Sequence, residues 1–208
     1  MKGRLFSYYV VMLASRIFFG AYALLFVVCG IAPLDRAVWW AENLPMFLII
    51  ASVAWIGRSH AFTTMSYTMM FFLLALHTIG GHYTFAEVPF DWVTDTFGFD
   101  RNHYDRIAHF SVGFYAFPIA EILHRKKMVN RYWILYAFPI FSIVTVAGAY
   151  EVFEWQYAIL GDPDAGIAVL GSQGDIWDAQ KDILADTLGA CFAMLTFAWI
   201  HRRTATSC

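Results

Sequence analysis

The chain has 208 residues, of which 60% are hydrophobic and 14% charged, against about 25% charged in an average soluble domain. With a mean hydropathy of +0.54 this excludes an ordinary soluble domain and indicates a chain that crosses a bilayer repeatedly. A net charge of −2 gives no basic surface for nucleic acid, and three cysteines without a CxxC pair point to no disulfide framework or thiolate metal knuckle.

The N-terminal run MKGRLFSYYVVMLASRIFFGAYALLFVVCG opens with Lys2 and Arg4 like a signal peptide. It is too long for one and carries Arg16 inside, so it reads as an uncleaved first span over about 8–31. A span needs roughly 20 apolar residues to cross a core of about 30 Å. Further spans are expected over 38–57, 61–81, 104–123, 132–157 and 182–200. The second is interrupted near its start by Glu42, Asn43 and Pro45, while Pro118 and Pro139 are expected to kink the fourth and fifth. The expected fold is all-α: a polytopic bundle of about six transmembrane helices forming a single integral membrane domain over 1–208.

Charge gives the bundle a direction. Lys2, Arg4, Arg58, Arg125, Lys126, Lys127, Arg131, Arg202 and Arg203 fall on one side of the alternating spans. The positive-inside rule places that side, and both termini, in the cytoplasm. All acidic residues except Glu121 lie on or near the opposite side. Arg16 and Glu121 fall in the inner half of the bilayer and are expected to pair.

Ionisable groups gather at the outer ends of four spans. Span 3 ends with His77 and His82, and span 4 begins with Asp105, Arg106 and His109. Span 5 ends with Glu151 and Glu154, and span 6 is entered through Asp178, Asp182 and Asp186. The last three stand at i, i+4 and i+8, on one helix face. The helix dipole favours anions at a helix N-terminus and so accounts for Asp105, Asp178 and Asp182. It does not account for Asp186 or His109, which lie deeper, nor for Glu151 and Glu154 at a helix C-terminus.

Crowded, partly buried carboxylates take up protons or bind cations. Oxygen ligands with imidazole and no thiolate suit Mg²⁺, Mn²⁺ or Zn²⁺. The candidate ligands are Asp105, His109, Glu154, Asp178, Asp182 and His82. Glu151 or Asp186 is the candidate general base, and Arg106 the group that orients a phosphate or carboxylate. The segment 160–175, rich in Gly, Pro and Asp, reads equally as a lid or as a connector.

The motifs HYDRIAHFSVGF, YEVFEWQY and GSQGDIWDAQKDILADTLGA, with the six-span layout, resemble the YjdF family of bacterial inner-membrane proteins, which has no assigned activity. A fainter resemblance is to VanZ-like membrane proteins, whose Asp-Lys/Arg-x-x-His-Phe pattern is met by Asp105, Arg106, His109 and Phe110. Their later Glu and Asp-x-x-x-Asn-x-x-Gly are approached by Glu154, Asp182, Asp186 and Gly189, with Asp186 where Asn is usual. These resemblances imply an envelope-facing bacterial membrane protein, the VanZ-like one a link to glycopeptide tolerance.

Three functions stay open on the residues alone. One is a metal-dependent hydrolase or transferase acting on a lipid or lipid-linked substrate. Another is a cation- or proton-coupled transporter, and the third a non-catalytic envelope accessory protein.

Overall fold

A computed structural model of the protein describes residues 2–160, 170 and 172–205, and the side chains of 12–160, 170 and 172–201. The described residues are all helical or irregular, with no strand. Helices α1 (Lys2–Cys29), α2 (Arg36–Gly57) and α3 (Thr64–His82) are followed by a short α4 (Asp91–Phe97). Then come α5 (Tyr104–Val112), a 3-10 turn (Gly113–Tyr115), α6 (Ala116–Arg125), α7 (Tyr132–Leu160) and α8 (Asp178–Ala205). Most of the expected 160–175 loop, residues 161–169 and 171, lies outside the described residues, as does Cys208.

Local chemistry sets several of these limits. Asp35 caps α2 by accepting from the backbone N–H groups of Ala37 and Val38 at 2.7 and 2.9 Å. Thr63 caps α3 by accepting from Ser66 N–H. Gly98, at φ +66°, ends α4 in the left-handed conformation that glycine adopts without steric cost.

The expected fourth span, 104–123, is not one continuous α-helix. Pro118 has no N–H to give the Phe114 carbonyl, and its ring crowds that carbonyl. The chain tightens into the 3-10 turn at this point. The same turn brings Gly113 against Gly189 of α8, backbone to backbone. A Cβ on Gly189 would collide with the Phe110 carbonyl oxygen, and one on Gly113 with the Ala190 N and the backbone around it. Small residues that let helix backbones touch are a common device of membrane helix packing.

The core lies where α3, α5, α6, α7 and α8 meet. Met69, Phe117, Leu135, Ile143, Met194 and Phe197 are buried there around Ala116, Ala120, Ala190 and Ala193. Elsewhere the surface is apolar: Leu24, Trp55, Phe141 and Leu195 are 65–71% exposed. An apolar exterior on this scale is one that lipid covers. Four segments are long and apolar enough to cross a membrane: Met12–Cys29 in α1, α2, α7 and Asp178–His201 in α8.

At the end of the bundle where α6 stops, the expected pairing of Arg16 with Glu121 does not form. Arg16 is exposed. Glu121, 1% exposed, accepts from Thr63 N–H at 3.0 Å, Thr63 Oγ1 at 2.8 Å, Ser66 Oγ, and Arg125 at 2.6 Å. Arg125 is four residues on along the same helix, and with the Thr63 amide and hydroxyl of the α2–α3 connection and the Ser66 hydroxyl of α3 it meets the carboxylate without a partner from α1.

Candidate functional site

At the other end, where α3 and α7 finish and α5 and α8 begin, two irregular segments are tied together. Asn102 accepts Tyr104 N–H at 2.9 Å and donates to the carbonyls of Ala86 and Val88 at 3.0 and 2.8 Å. Asn102 N–H donates to Gln173 Oε1, and Gln173 Nε2 returns a bond to the Asn102 carbonyl, both at 3.0 Å. Together these bonds fix the start of α5 relative to the segment leading into α8.

An ion-pair layer follows. Arg101 meets Asp178 at 2.5 Å and Asp175 at 3.7 Å, and Arg106 contacts both Asp178 and Asp182. Lys181 meets Asp175 at 2.6 Å. The Lys181 ammonium and the Trp177 amide hold the Asp175 carboxyl below its usual range. Burial, with Arg101 and Arg106 nearby, holds the His103 imidazole below its ordinary value. Sequence reading credited Arg106 to this site but missed Arg101, which stands in an irregular segment with no periodicity to aim it.

Beneath that layer lies a triad. Asp105 and His109, one turn apart on α5, meet Asp182 of α8, with one ligand atom of each within 4.8 Å of the others. His109 Nε2 is 3.6 Å from Asp105 Oδ1 and 3.7 Å from Asp182 Oδ1, while Nδ1 is 3.3 Å from Asp186 Oδ1. Asp186, 1% exposed, therefore orients the ring as acceptor for Nδ1–H and turns Nε2 towards the two carboxylates.

Next to the triad is a cavity of about 250 Å³ between α2, α3, α5, α7 and α8. Glu42, Asp105, Glu154 and Asp186 line its polar part, with His77, His109 and Tyr150. Glu42 accepts from Tyr150 OH at 2.9 Å, and His77 Nε2 lies 3.1 Å from its Oε2. Glu154 is 8% exposed, and no hydrogen bond to its carboxylate forms among the described residues. Glu151 Oε1 is buried without a hydrogen-bond partner among the described residues. Phe85 reaches the cavity because Thr84 and Phe85 take positive φ (56° each) and lay the ring on Gly80, where any Cβ would clash.

Of the residues expected at the site, Asp105, His109 and Asp182 come together, Asp186 backs the histidine, and Asp178 belongs to the ion-pair layer through Arg106. Glu154 lies on the cavity wall. His82 does not line the cavity; its Nδ1–H donates to the Cys29 carbonyl at 2.6 Å. Glu42 was read from sequence as an interruption of span 2, whereas it is 2% exposed and faces α3 and α7.

Residues 14–203 match the family model described as "Predicted membrane protein (DUF2238)". The inner membrane protein YjdF of Escherichia coli (strain K12) is 30% identical over 182 residues, covering 86% of this chain and 87% of that protein. No solved structure matches the chain. The family, the inner-membrane relative and the four apolar helices make this a multi-pass protein of the bacterial inner membrane. The chain belongs to the DUF2238 family of predicted membrane proteins, with YjdF among its relatives.

Proposed function

We propose that the protein is a metal-dependent hydrolase or transferase acting on a lipid or lipid-linked substrate. In this reading six helical segments cross the inner membrane, both termini are cytoplasmic, and the site lies in the outer leaflet. The charge asymmetry supports that orientation.

One observation carries the catalytic reading: His109 presents Nε2 to Asp105 and Asp182 while Asp186 holds Nδ1. Ligands about 2.1 Å from a tetrahedral metal stand roughly 3.4 Å apart. Gaps of 3.6 and 3.7 Å are too long for hydrogen bonds and suit a cation between the atoms. A carboxylate behind a ligating histidine is the usual outer partner of such a metal. Asp105, His109 and Asp182 would hold a divalent metal there, which would supply an activated water and stabilisation of developing oxyanion charge. Glu151 would take the proton, and Arg106, with Arg101, would steady an anionic group at the edge of the ion-pair layer.

Transport is the weaker reading. The triad and the Glu121 cluster at the opposite end are separated by the apolar core around Met69, Phe117 and Phe197. An ion crossing between them needs polar groups along the way.

Elemental analysis of detergent-purified protein tests the proposal. Near-stoichiometric Mn or Zn in the wild type, lost in Asp182→Asn and His109→Ala, is expected. No metal in the wild type after supplementation rejects it. Cytoplasmic and periplasmic reporters fused to each terminus test the orientation.

A further inference from the structure

We infer that the cavity receives a lipid bearing an ammonium head group, and that the lipid enters sideways from the bilayer between α2 and α7. The inference rests on the enzymatic reading only for what happens after binding.

The cavity is polar at one end and apolar for the rest. Ile49, Leu73, Val112 and Ala147 line the apolar part. Leu48 of α2 and Val146 of α7 line it too, yet are 67% and 58% exposed on the apolar exterior. A residue that is both cavity wall and outer surface marks a mouth. Nearer the site end α2 meets α7 again, through Val38 and Ala41 against Tyr157. The mouth is therefore flanked by apolar helix faces and covered at the carboxylate end, so that an apolar chain enters from the side.

The polar end selects charge. Four carboxylates line the cavity and, among the described residues, no lysine or arginine does. Arg101, Arg106 and Lys181 are turned to Asp175, Asp178 and Asp182 in the layer above. Asp186 has His109, and Glu42 has Tyr150 and His77. Asp105 has no hydrogen bond among the described residues but faces His109 at 3.6 Å. Glu154 is therefore the cavity-wall carboxylate, more than nine-tenths buried, with neither a hydrogen bond nor an ion pair among the described residues. A buried carboxylate in that position calls for a cation that donates hydrogen bonds. Aromatic groups stand close by: the His77 ring is 5.2 Å from Phe85 and 6.2 Å from Tyr150, and π-faces add to the attraction for an ammonium. A divalent ion at the triad leaves the negative excess in place, since Glu42 and Glu154 are not among the three clustered ligands.

In an aminophospholipid the phosphodiester then lies towards the triad and Arg106, and the ammonium at Glu154. The test is native mass spectrometry of delipidated protein, offered dioleoyl phosphatidylethanolamine and dioleoyl phosphatidylglycerol in equal amounts. The wild type is expected to retain the aminolipid about tenfold better, the scale of one charge-assisted hydrogen bond. Glu154→Gln should bring the two lipids to parity with metal content unchanged. Val146→Trp, on the exposed mouth, should lower retention of both. Equal retention by the wild type overturns the inference, as does a preference that survives both variants. A preference kept by an Asp182→Asn protein that has lost its metal separates lipid recognition from the metal reading. A wild type with lipid preference but no metal would reject the enzyme and leave this site standing.

Discussion

His109 on α5 and Asp186 on α8 face each other at 3.3 Å, Nδ1 to Oδ1, with Asp186 almost wholly buried. That contact decides which imidazole nitrogen is left for the cavity. Asp186→Asn keeps the shape but exchanges an ionisable acceptor for an amide, weakening the ring's orientation and basicity. Metal affinity is expected to fall about 10- to 100-fold, the usual effect of losing such a partner. Isothermal titration with Zn²⁺ and Mn²⁺ reads this directly; an unchanged affinity would show that Asp186 does not orient a ligand.

Arg106 is shared between Asp178 and Asp182, and all three side chains are at most 15% exposed. Arg106→Ala leaves the buried Asp182 without its arginine, while Asp178 keeps Arg101, a loss of about 3–5 kcal/mol where one partner of a buried pair is removed. Adding Asp182→Asn should recover a good part of it. Unfolding in mixed micelles measures both, and additive losses would mean that the pair is not coupled.

Sequence reading reached these residues because Asp178, Asp182 and Asp186 repeat at a helical spacing and Asp105 and His109 share a face. His82 is set apart from them by the same periodicity. It stands five residues from His77, about 140° around a helix, so only one of the two turns to the cavity. Glu42 and Asn43 carried a signal of their own. A carboxylate inside an apolar helix needs a partner, and Glu42 finds His77 and Tyr150. Those partners come from helices distant in sequence, which periodicity does not align. The break at Gly113 depended on the approach of Gly189, a tertiary contact that Pro118 alone does not specify.

Glu121 and Arg16 give a contrasting pair. Glu121→Ala strands the Thr63 amide and the Thr63 and Ser66 hydroxyls, for an expected loss of roughly 3 kcal/mol. Arg16→Ala, on an exposed side chain, should change stability by no more than about 0.5 kcal/mol. A double-mutant coupling near zero is expected. A large coupling would restore the α1–α6 pairing that the charge pattern suggested.

His60, in the α2–α3 connection, is 6% exposed and 3.4 Å from Glu121. Burial, helped by Arg125, holds its folded pKa below the ordinary 6.5 and outweighs the pull of Glu121. The unfolded chain therefore binds more protons in this range, so the neutral ring's contribution is complete above about pH 6.5 and is lost as pH falls towards the folded value. His60→Gln should flatten the fall of stability between about pH 7 and 5. A wild type and variant with parallel pH profiles would reject the assignment.

Gly189 links packing to the site. It lies three residues past Asp186 and rests on the Phe110 carbonyl, one residue after His109. In Gly189→Ala the new methyl must push α8 from α5, an overpacking cost of about 1–3 kcal/mol. The same displacement separates His109 from Asp182 and Asp186, so metal retention should fall with stability, although no ligand has been altered. Gly148→Ala on α7 is the control: its added methyl meets nothing within 4 Å, and the better helix former should be neutral or stabilising by up to about 1 kcal/mol. Full metal content in a destabilised Gly189→Ala protein would show that the α5–α8 crossing supports the bundle without setting the geometry of the triad.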